Sequence, residues 1–333
     1  MRIVFVTQAI DPAHPVLGAT VAKIRALAAR CDEVVVLADR VDESVLPDNV
    51  RARSFAAPSQ LQRGARYIAS LAPELVDRPV AVVAHMSPIF ALLAAPLTKP
   101  VRVPLLLWFT QQAGGRTLQS AERVADVLLT VDRRSVPLAS PKVRAIGHGI
   151  DVAAIACVPE RRPPLRRLLG LGRYAPVKGW ETVLRALPEL PDATVTIHGP
   201  QLTDVDRAHR PYLETVAEEL GVRDRVTFGD EVAYANVPQL LGLADALVDA
   251  THGNSAGKVV YEAAAACLPV FAASPVFDTL LPEELRFHGD FPSSLAERIR
   301  DYAGGAGRDL RARVEAEHSV DHWADRVLEA AGA

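Results

Sequence analysis

The sequence predicts an α/β protein with two doubly wound parallel sheets, and three observations support this fold class. Short apolar runs of strand length alternate with helical stretches along the chain, the pattern of parallel sheets covered by helices. The alternation stops at one Pro/Arg-rich stretch, CVPERRPPLRR (157–167), and then starts again. The chain has 333 residues, enough for two domains with separate cores.

The elements follow in order along the chain. Before residue 157, the apolar runs predicted as strands are 3–7, 34–38, 80–84, 103–108 and 127–131, and the helical stretches are about 18–30, 60–72, 88–96 and 116–125. After residue 167, strands are predicted near 168–172, 194–198, 225–228, 246–249 and 269–273. The last predicted helix runs from about Val320 to Ala331, with Trp323, Val327 and Leu328 on one face. The stretch 157–167 is the predicted linker, read as solvated. A peripheral membrane contact through its arginines is the weaker alternative, because few apolar residues accompany them.

Composition excludes several classes of protein. Hydrophobic residues make up 49% of the chain and the net charge is −3, so nucleic acid is not an expected partner. The three cysteines, Cys31, Cys157 and Cys267, form no CxxC pair. We therefore expect a reducing compartment, no structural metal, and core positions for Cys31 and Cys267. The start, MRIVFVTQ, lacks the features of a signal peptide, which predicts a cytoplasmic location.

The strongest apolar stretch, PVAVVAHMSPIFALLAAPL (79–97), approaches the length of a membrane span. His85, Ser87 and Pro88 interrupt it, and β-branched residues are confined to the half before them. It is therefore predicted to be a buried strand followed by a helix, with His85 at the carboxyl end of the strand, facing a cleft. A contact with a substrate and a plain core position are both open for His85.

Residues 252–274, HGNSAGKVVYEAAAACLPVFAAS, form the most informative segment. A small polar turn leads into a predicted helix, 258–267, which is followed by an apolar strand. Free amides and the positive end of the helix dipole make such a turn a receptor for phosphate or sugar oxygens. Glu262, eight positions after Asn254, lies about two turns into the helix, where a carboxylate can accept hydrogen bonds from a ribose diol. An ordinary loop–helix–strand connection is the competing interpretation.

A second segment, LLGLGRYAPVKGWETVLRALPEL (168–190), predicts a strand, a loop with two cations and an amphipathic helix. Arg173 directly follows the strand, and Lys178 comes five residues later. A guanidinium fork and an ammonium, both only donors, suit a diphosphate. Solvated surface cations are the usual alternative, but these two lie at the carboxyl end of a strand, where open α/β sheets bind ligands.

Together these segments resemble the retaining, nucleotide-sugar-dependent glycosyltransferases of family four (group 1). The motifs that carry the resemblance, over nearly the whole chain, are the opening 1–40, SPKVRAIGHGID (140–151), GRYAPVKG (172–179), RVTFGDEV (225–232) and the turn and helix at 254–262. The resemblance implies the GT-B fold, with two Rossmann-like domains whose parallel sheets face each other across a cleft. It implies an acceptor-side domain at 1–152, joined by the C-terminal helix (about 319–333), and a nucleotide-sugar-binding domain at 153–318.

The resemblance also implies roles for individual residues. Arg173 and Lys178 would stabilise the departing diphosphate, and Glu262 would hold the ribose. The remaining expected contacts are Asn254, Ser255, Gly257 and Lys258 at the donor sugar, Gly199, Glu231 and Val232 at the nucleotide through backbone groups, Gly18 beside the diphosphate, and His85 and Gln111 on the acceptor side. For Gly18, a simple turn glycine is the equal alternative. Apart from the donor substrate, no tightly bound cofactor or metal is expected. The acceptor would be a small molecule or lipid-linked.

Two departures from the family pattern concern the site. Asn254 stands where the family has a Glu that reads hydroxyls of the donor sugar, with Ser255 and Ala256 in place of Gly and Phe. Gln111 stands where relatives have a His. Both changes replace an ionisable group by an amide. They predict an altered substrate or lost activity.

Three functions therefore remain open at this point. The leading one is a retaining, hexosyltransferase-like enzyme. The alternatives are a partner subunit that binds nucleotide or sugar without catalysis, and a sugar-nucleotide epimerase of the same architecture. A dehydrogenase is disfavoured because no GxGxxG follows the first strand. Asp204-Val205-Asp206 forms a DxD, but its polar surroundings predict an ordinary loop and no metal site.

Overall fold

The computed structural model describes residues 1–333, and they group into two units. The first unit contains Met1–Gly149 and Glu317–Ala333, and the second contains Ile150–Ala316. Since the division falls at Gly149/Ile150, the Pro/Arg-rich stretch predicted as the linker belongs to the second unit.

The first unit is built on a seven-stranded parallel sheet of order β3-β2-β1-β4-β5-β6-β7. Its strands are β1 (Arg2–Ile10), β2 (Glu33–Val41), β3 (Val50–Ser54), β4 (Val82–His85), β5 (Leu105–Trp108), β6 (Val127–Thr130) and β7 (Val143–Ala145). Its helices are α1 (Thr20–Ala28), α2 (Gln60–Glu74), α3 (Pro88–Val101), α4 (Gly115–Val124) and, from the chain end, α11 (Val320–Ala331). The middle strands are apolar and buried along their length, because helices cover both faces of such a sheet.

The second unit has a five-stranded parallel sheet of order β10-β9-β8-β11-β12. Its strands are β8 (Arg167–Leu171), β9 (Thr194–His198), β10 (Val226–Gly229), β11 (Ala246–Asp249) and β12 (Val270–Ala272). Its helices are α5 (Trp180–Ala186), α6 (Asp204–Glu219), α7 (Val237–Leu243), α8 (Lys258–Ala265), α9 (Pro292–Asp301) and α10 (Gly307–Glu317). The order reverses between β8 and β11, and such a switch point opens a ligand crevice at the carboxyl ends of the strands.

One edge strand, β3, was not predicted. Its sequence, VRARS, is polar at every second position and no residue of it is fully buried. The strand is held through charge: Arg51 and Arg53 contact the Glu74 carboxylate at 3.0 and 3.3 Å, and Arg2 contacts it too. Glu74 is only 3% exposed. A half-polar strand at an edge carries no apolar run for a sequence pattern to detect.

The loop predicted around the DxD is wrong, because Asp204 and Asp206 begin helix α6. Thr203 caps this helix by accepting from the Asp206 amide, and the Asp206 side chain bonds back to the Thr203 amide in a capping box. The cap starts the helix ahead of Pro211 despite the polar composition.

The expectation that the cysteines form no pair is also wrong for two of the three, although Cys267 is buried in the core, as predicted. Cys157 and Cys267, 110 residues apart, form a disulfide with a Cα–Cα distance of 5.0 Å. The chain brings them together where the Val158 amide donates to the Ala266 carbonyl at 2.8 Å, just beyond the end of α8. The argument for a reducing compartment therefore loses its basis. Cys31 is free and buried, as predicted.

None of the helices combines the length and apolar character needed to cross a bilayer. The stretch 79–97 forms β4 and most of α3, the strand and helix predicted for it.

Candidate active site

The candidate residues of the second unit lie after the carboxyl ends of neighbouring strands. The loop after β8 carries Arg173 and Lys178, Gly199 follows β9, Glu231 and Val232 follow β10, and the 252–257 turn follows β11. Parallel neighbours end at one edge of a sheet, so the fold brings these segments together. At Gly199 a side chain would overlap the Gly172 carbonyl, which explains the glycine.

Arg173 is fixed at one end and open at the other. Its Nη1 lies 3.3 Å from Oδ2 of Asp206, which also accepts from the amides of Leu202 and Thr203. Asp206 is nearly fully buried, whereas the Arg173 side chain is 40% exposed. The capping carboxylate therefore orients the guanidinium, and the exposed part of the fork can donate to an anion.

Lys178 ends a short turn, Pro176–Lys178, and its ammonium donates to Thr251 Oγ1 at 3.2 Å. Gly179 follows with a φ of 64°, a conformation that favours glycine. The His252 amide donates to the Val177 carbonyl at 2.9 Å. These contacts join the loop after β8 to the turn after β11.

Asp249 is a buried carboxylate that the sequence analysis missed. It ends β11, is 2% exposed, and its Oδ1 accepts from the Thr251 amide at 3.0 Å. A Cβ on Gly257 would lie 3.1 Å from Asp249 Oδ2 and 4.0 Å from Lys178 Nζ. The carboxylate, the ammonium and the first amides of α8 therefore surround one small space. The sequence could have indicated Asp249, because it is an acidic residue at the carboxyl end of an apolar strand.

Helix α8 begins at Lys258, with Gly257 as N-cap and no side chain capping it. Its first amides therefore have no side-chain acceptor at the cap and can bind an anion. In the preceding turn, Gly253 has a φ of 74°, and Asn254 and Ser255 are half-buried. Three of the predicted donor-sugar residues, Asn254, Ser255 and Gly257, thus lie in the turn ahead of the helix, and the fourth, Lys258, is its first residue.

Glu262 is 2% exposed on α8 and lies beside two further polar side chains. Its Oε1 is 3.4 Å from Lys258 Nζ, one turn earlier. Burial, followed by the charge of Glu262, raises the pKa of Tyr234 strongly. Lys258 Nζ lies 3.8 Å from the centroid of the Tyr234 ring. The sequence analysis did not select Tyr234. The pattern that could have indicated it is an aromatic residue only two positions after Val232.

In the first unit, His85 lies at the end of β4, as predicted, but only 3% of it is exposed. Its Nδ1 lies 3.2 Å from Thr7 Oγ1. Burial, with a smaller effect of the Lys23 charge, lowers the pKa of His85 well below its usual value. The imidazole is therefore a neutral core group, which argues against the expected contact with an acceptor.

The other two first-unit candidates differ in exposure. Gly18 is buried in the turn ahead of α1, and its amide donates to the His14 carbonyl at 2.9 Å. That amide is used within the turn, which favours the simple turn interpretation over a contact with phosphate. Gln111 is exposed in the loop after β5 and remains an acceptor-side candidate.

Residues 160–301 match the family model of glycosyl transferases group 1. This part of the chain is therefore similar to the group 1 glycosyltransferases. The matched range contains all the second-unit site residues described above.

Among proteins similar in sequence, a D-inositol 3-phosphate glycosyltransferase of Mycobacterium avium is 30% identical over 197 residues, which cover 56% of this chain and 40% of the relative. One of Mycobacterium leprae is 28% identical over 204 residues, 58% of this chain and 41% of the relative. The chain thus spans about two fifths of the length of these relatives.

Solved structures match this chain over nearly all its length. A crystal structure of an Anabaena protein in complex with UDP and glucose matches with a TM-score of 0.75 at 18% identity, covering 99% of this chain and 98% of that one. Sucrose-phosphate synthase from Thermosynechococcus elongatus matches with a TM-score of 0.74 at 17% identity, covering 98% and 97%. The predicted GT-B fold class, with two Rossmann-like domains, is confirmed.

Proposed function

We propose that this chain transfers a sugar from a nucleoside-diphosphate sugar to an acceptor hydroxyl, with retention of anomeric configuration. The proposal rests on one observation: groups that can bind an anion or a diol lie along the same edge of the second sheet. These are Arg173, Lys178, the amides at Gly257 and the buried Glu262 carboxylate. The likeness to a protein crystallised with UDP and glucose supports a nucleotide-sugar donor.

Catalysis in this proposal is mainly stabilisation of charge. As the glycosidic bond breaks, negative charge grows on the leaving diphosphate, and preorganised donors lower the barrier. Arg173 is already oriented by Asp206, and Lys178 by Thr251. Each charge-assisted hydrogen bond to the diphosphate contributes about 1.5–3 kcal/mol. No covalent intermediate is required by this scheme, which suits a front-side retaining reaction.

The remaining contacts assign the parts of the donor. Glu262 accepts from the ribose hydroxyls, and backbone groups of Gly199, Glu231 and Val232 meet the nucleoside. Asn254 and Ser255 read the sugar. The amide of Asn254 accepts from one hydroxyl and donates to another oxygen, so it suits a donor whose substituents differ from those of common hexoses.

The nucleotide site is tested by removing both cations. Arg173→Ala combined with Lys178→Ala should weaken binding of the tightest ligand among UDP, GDP and ADP by about 100-fold or more, because two charged contacts of about 1.5 kcal/mol each are lost. Isothermal titration calorimetry measures the affinity. The matched control removes two surface arginines of the same unit, Arg185 and Arg300, which pair with Glu181 and Glu189, and should leave it unchanged. Equal affinity in the site variant and the wild type would rule out this phosphate site.

A partner subunit that binds donor without transfer is the second candidate, favoured by the amides at Asn254 and Gln111. A panel of nucleotide sugars separates the candidates with the unmodified chain. Release of nucleoside diphosphate with a glycosylated acceptor supports the transferase, binding alone supports the partner subunit, and an isomerised donor supports an epimerase.

A further inference from the structure

The segment 230–232, part of which is assigned above to the nucleoside, follows the end of β10. The amides and carbonyls of Glu231 and Val232 take part in no backbone hydrogen bond. Amides donate and carbonyls accept, and the edge of each nucleobase carries its own pattern of donors and acceptors. These peptide groups can distinguish bases only if the segment is held in one position, because a flexible surface adapts to many partners.

Tyr174 holds the end of β10 from the loop after β8. Its side chain is fully buried, and its hydroxyl donates to the carbonyls of Gly229 and Ile197, at 2.8 and 2.9 Å. Ile197 belongs to β9, so one hydroxyl bridges two neighbouring strands. Because Tyr174 directly follows Arg173, the same bridge joins the loop that carries the cations to the residue ahead of 230–232.

Arg210 of α6 contacts the same end of the strand. Its Cζ lies 5.3 Å from the centroid of the Tyr174 ring, a cation–π contact. Its Nη2 donates to the Phe228 carbonyl at 2.8 Å, and its Nη1 donates to Asp230 Oδ1 at 2.6 Å. One guanidinium therefore covers the tyrosine ring and bonds to the residues on both sides of Gly229.

Residues 228–230 are thus held by polar contacts on each residue. Besides the two side chains above, the His198 ring takes part, since its Nδ1 lies 3.2 Å from the Asp230 carbonyl. An added Cβ on Gly229 would lie 2.2 Å from that nitrogen, so the close approach of the ring requires the glycine. A fixed support that carries free peptide groups is preorganised for recognition, which lowers the entropic cost of binding.

We propose that Tyr174 and Arg210 are positioning residues for the nucleobase: they hold 230–232 at a fixed place relative to the cations, so that this chain discriminates between the bases of nucleoside diphosphates. The inference rests on the proposed nucleotide site and extends it to two side chains that do not touch the ligand. Arg173 and Lys178 hold the diphosphate, and the base is thereby presented to a segment that cannot move to accommodate a different edge.

The test compares the affinities of UDP, GDP and ADP, which share the ribose and the diphosphate and differ only in the base. Calorimetry gives the ratio of the dissociation constants of the weakest and the tightest ligand. Tyr174→Phe removes only the hydroxyl and should reduce this ratio about 10-fold, or to one if it is smaller than that, since roughly one hydrogen bond of discrimination is lost. Arg210→Met should do the same, and Arg210→Lys, which keeps a cationic donor, should recover part of the ratio. Affinity for the weakest ligand should stay within about twofold of wild type, a split that general destabilisation would not give.

Two variants serve as controls. Tyr67→Phe removes a hydroxyl that is equally buried but donates to the Phe90 carbonyl in the first unit, at 3.1 Å. Arg223→Met removes an arginine that also lies over a ring, that of Phe228 at 5.4 Å, but donates to the Val226 carbonyl at the start of β10. Both should keep the wild-type ratio, and thermal unfolding of all the variants shows how much stability each one loses.

The outcomes separate this inference from the function it rests on. If Tyr174→Phe and Arg210→Met leave the ratio unchanged, or weaken all three ligands by the same factor, their role is structural and the inference is wrong, while the nucleotide site stands. A wild type that binds the three ligands equally would overturn the inference and leave the phosphate contacts of Arg173 and Lys178 in place. If the wild type binds none of them, the proposed nucleotide site is wrong as well.

Discussion

His318 shows how a single buried side chain can link the stability of this protein to pH. It lies just ahead of α11 and is 8% exposed. Burial, followed by the charge of His322, lowers the pKa of His318 to about 4, and Asp132 opposes this only in part. In an unfolded chain the pKa is about 6.5. The unfolded state therefore binds the proton more readily than the folded state between these two values, so stability falls as the pH drops below about 6.5 and levels off near 4.

We therefore expect His318→Gln to reduce the pH dependence of stability by up to about 3 kcal/mol between pH 6.5 and 4. His85 contributes in the same direction in the wild type, since its pKa is lowered too, so part of the slope remains in the variant. Urea unfolding at a series of pH values measures this difference. His288→Gln is the control, because that side chain is 62% exposed and stays in water after folding. If stability depended on pH in the same way in His318→Gln and the wild type, His318 would not be a source of this pH dependence.

At the scale of elements, the site depends on how a short turn and a helix are fixed to neighbouring segments. The turn Pro176–Lys178 is continued by Gly179, where a Cβ would lie 2.9 Å from the carbonyl carbon and the Cβ of Ala250. Helix α8 is held beyond its end by the Cys157–Cys267 disulfide and by Arg311, whose Nη1 donates to the carbonyls of Ala265 and Ile155. Both anchors lie next to segments that carry candidate residues.

Gly179→Ala should therefore destabilise the protein and also weaken nucleotide binding, because the added Cβ pushes Ala250 and its neighbour Thr251 away from Lys178. The matched control is Gly221→Ala, since Gly221 has a φ of 65° but nothing within 4 Å of an added Cβ. Both variants bear the cost of a left-handed backbone at a non-glycine residue, about 1–2 kcal/mol. Thermal unfolding measures stability and calorimetry measures nucleotide affinity. Any further loss of stability or affinity in Gly179→Ala is then caused by the clash with Ala250. Identical losses in the two variants would show that Ala250 can shift freely.

On the scale of the whole molecule, the chain end belongs to the first unit. Helix α11 packs against α1, and Trp323 is fully buried there. Its ring meets Trp108 edge-on at a centroid distance of 5.7 Å, and Lys23 Nζ lies over both indoles, at 5.3 and 4.8 Å. The first unit is therefore completed only when the last residues of the chain are in place.

Trp323→Ala should destabilise the first unit by about 3–5 kcal/mol, the usual range for removing a buried aromatic side chain. Chemical unfolding followed by circular dichroism measures the change. Arg326→Ala on the same helix is the control, because Arg326 is about half exposed and pairs only with Glu329 at 2.7 Å. A loss below 1 kcal/mol for Trp323→Ala would mean that α11 contributes little to the first unit.

The sequence by itself determined the alternation of strands and helices, the positions of Arg173 and Lys178 after a strand, and that of Glu262 on the helix after the 252–257 turn. These features are local, because an apolar run or a turn ahead of a helix is written in consecutive residues. The helix α11 and its buried face were predicted for the same reason.

Only the tertiary structure decided which distant groups meet. The edge strand β3 depends on Glu74, Cys157 pairs with a residue 110 positions away, and Tyr234 and Asp249 acquire their surroundings from other segments. His85 has the right position on its strand for a substrate contact, yet packing makes it a core residue. Burial and pairing are properties of the folded neighbourhood, and the free energy of a charged group depends on that neighbourhood rather than on its place in the chain.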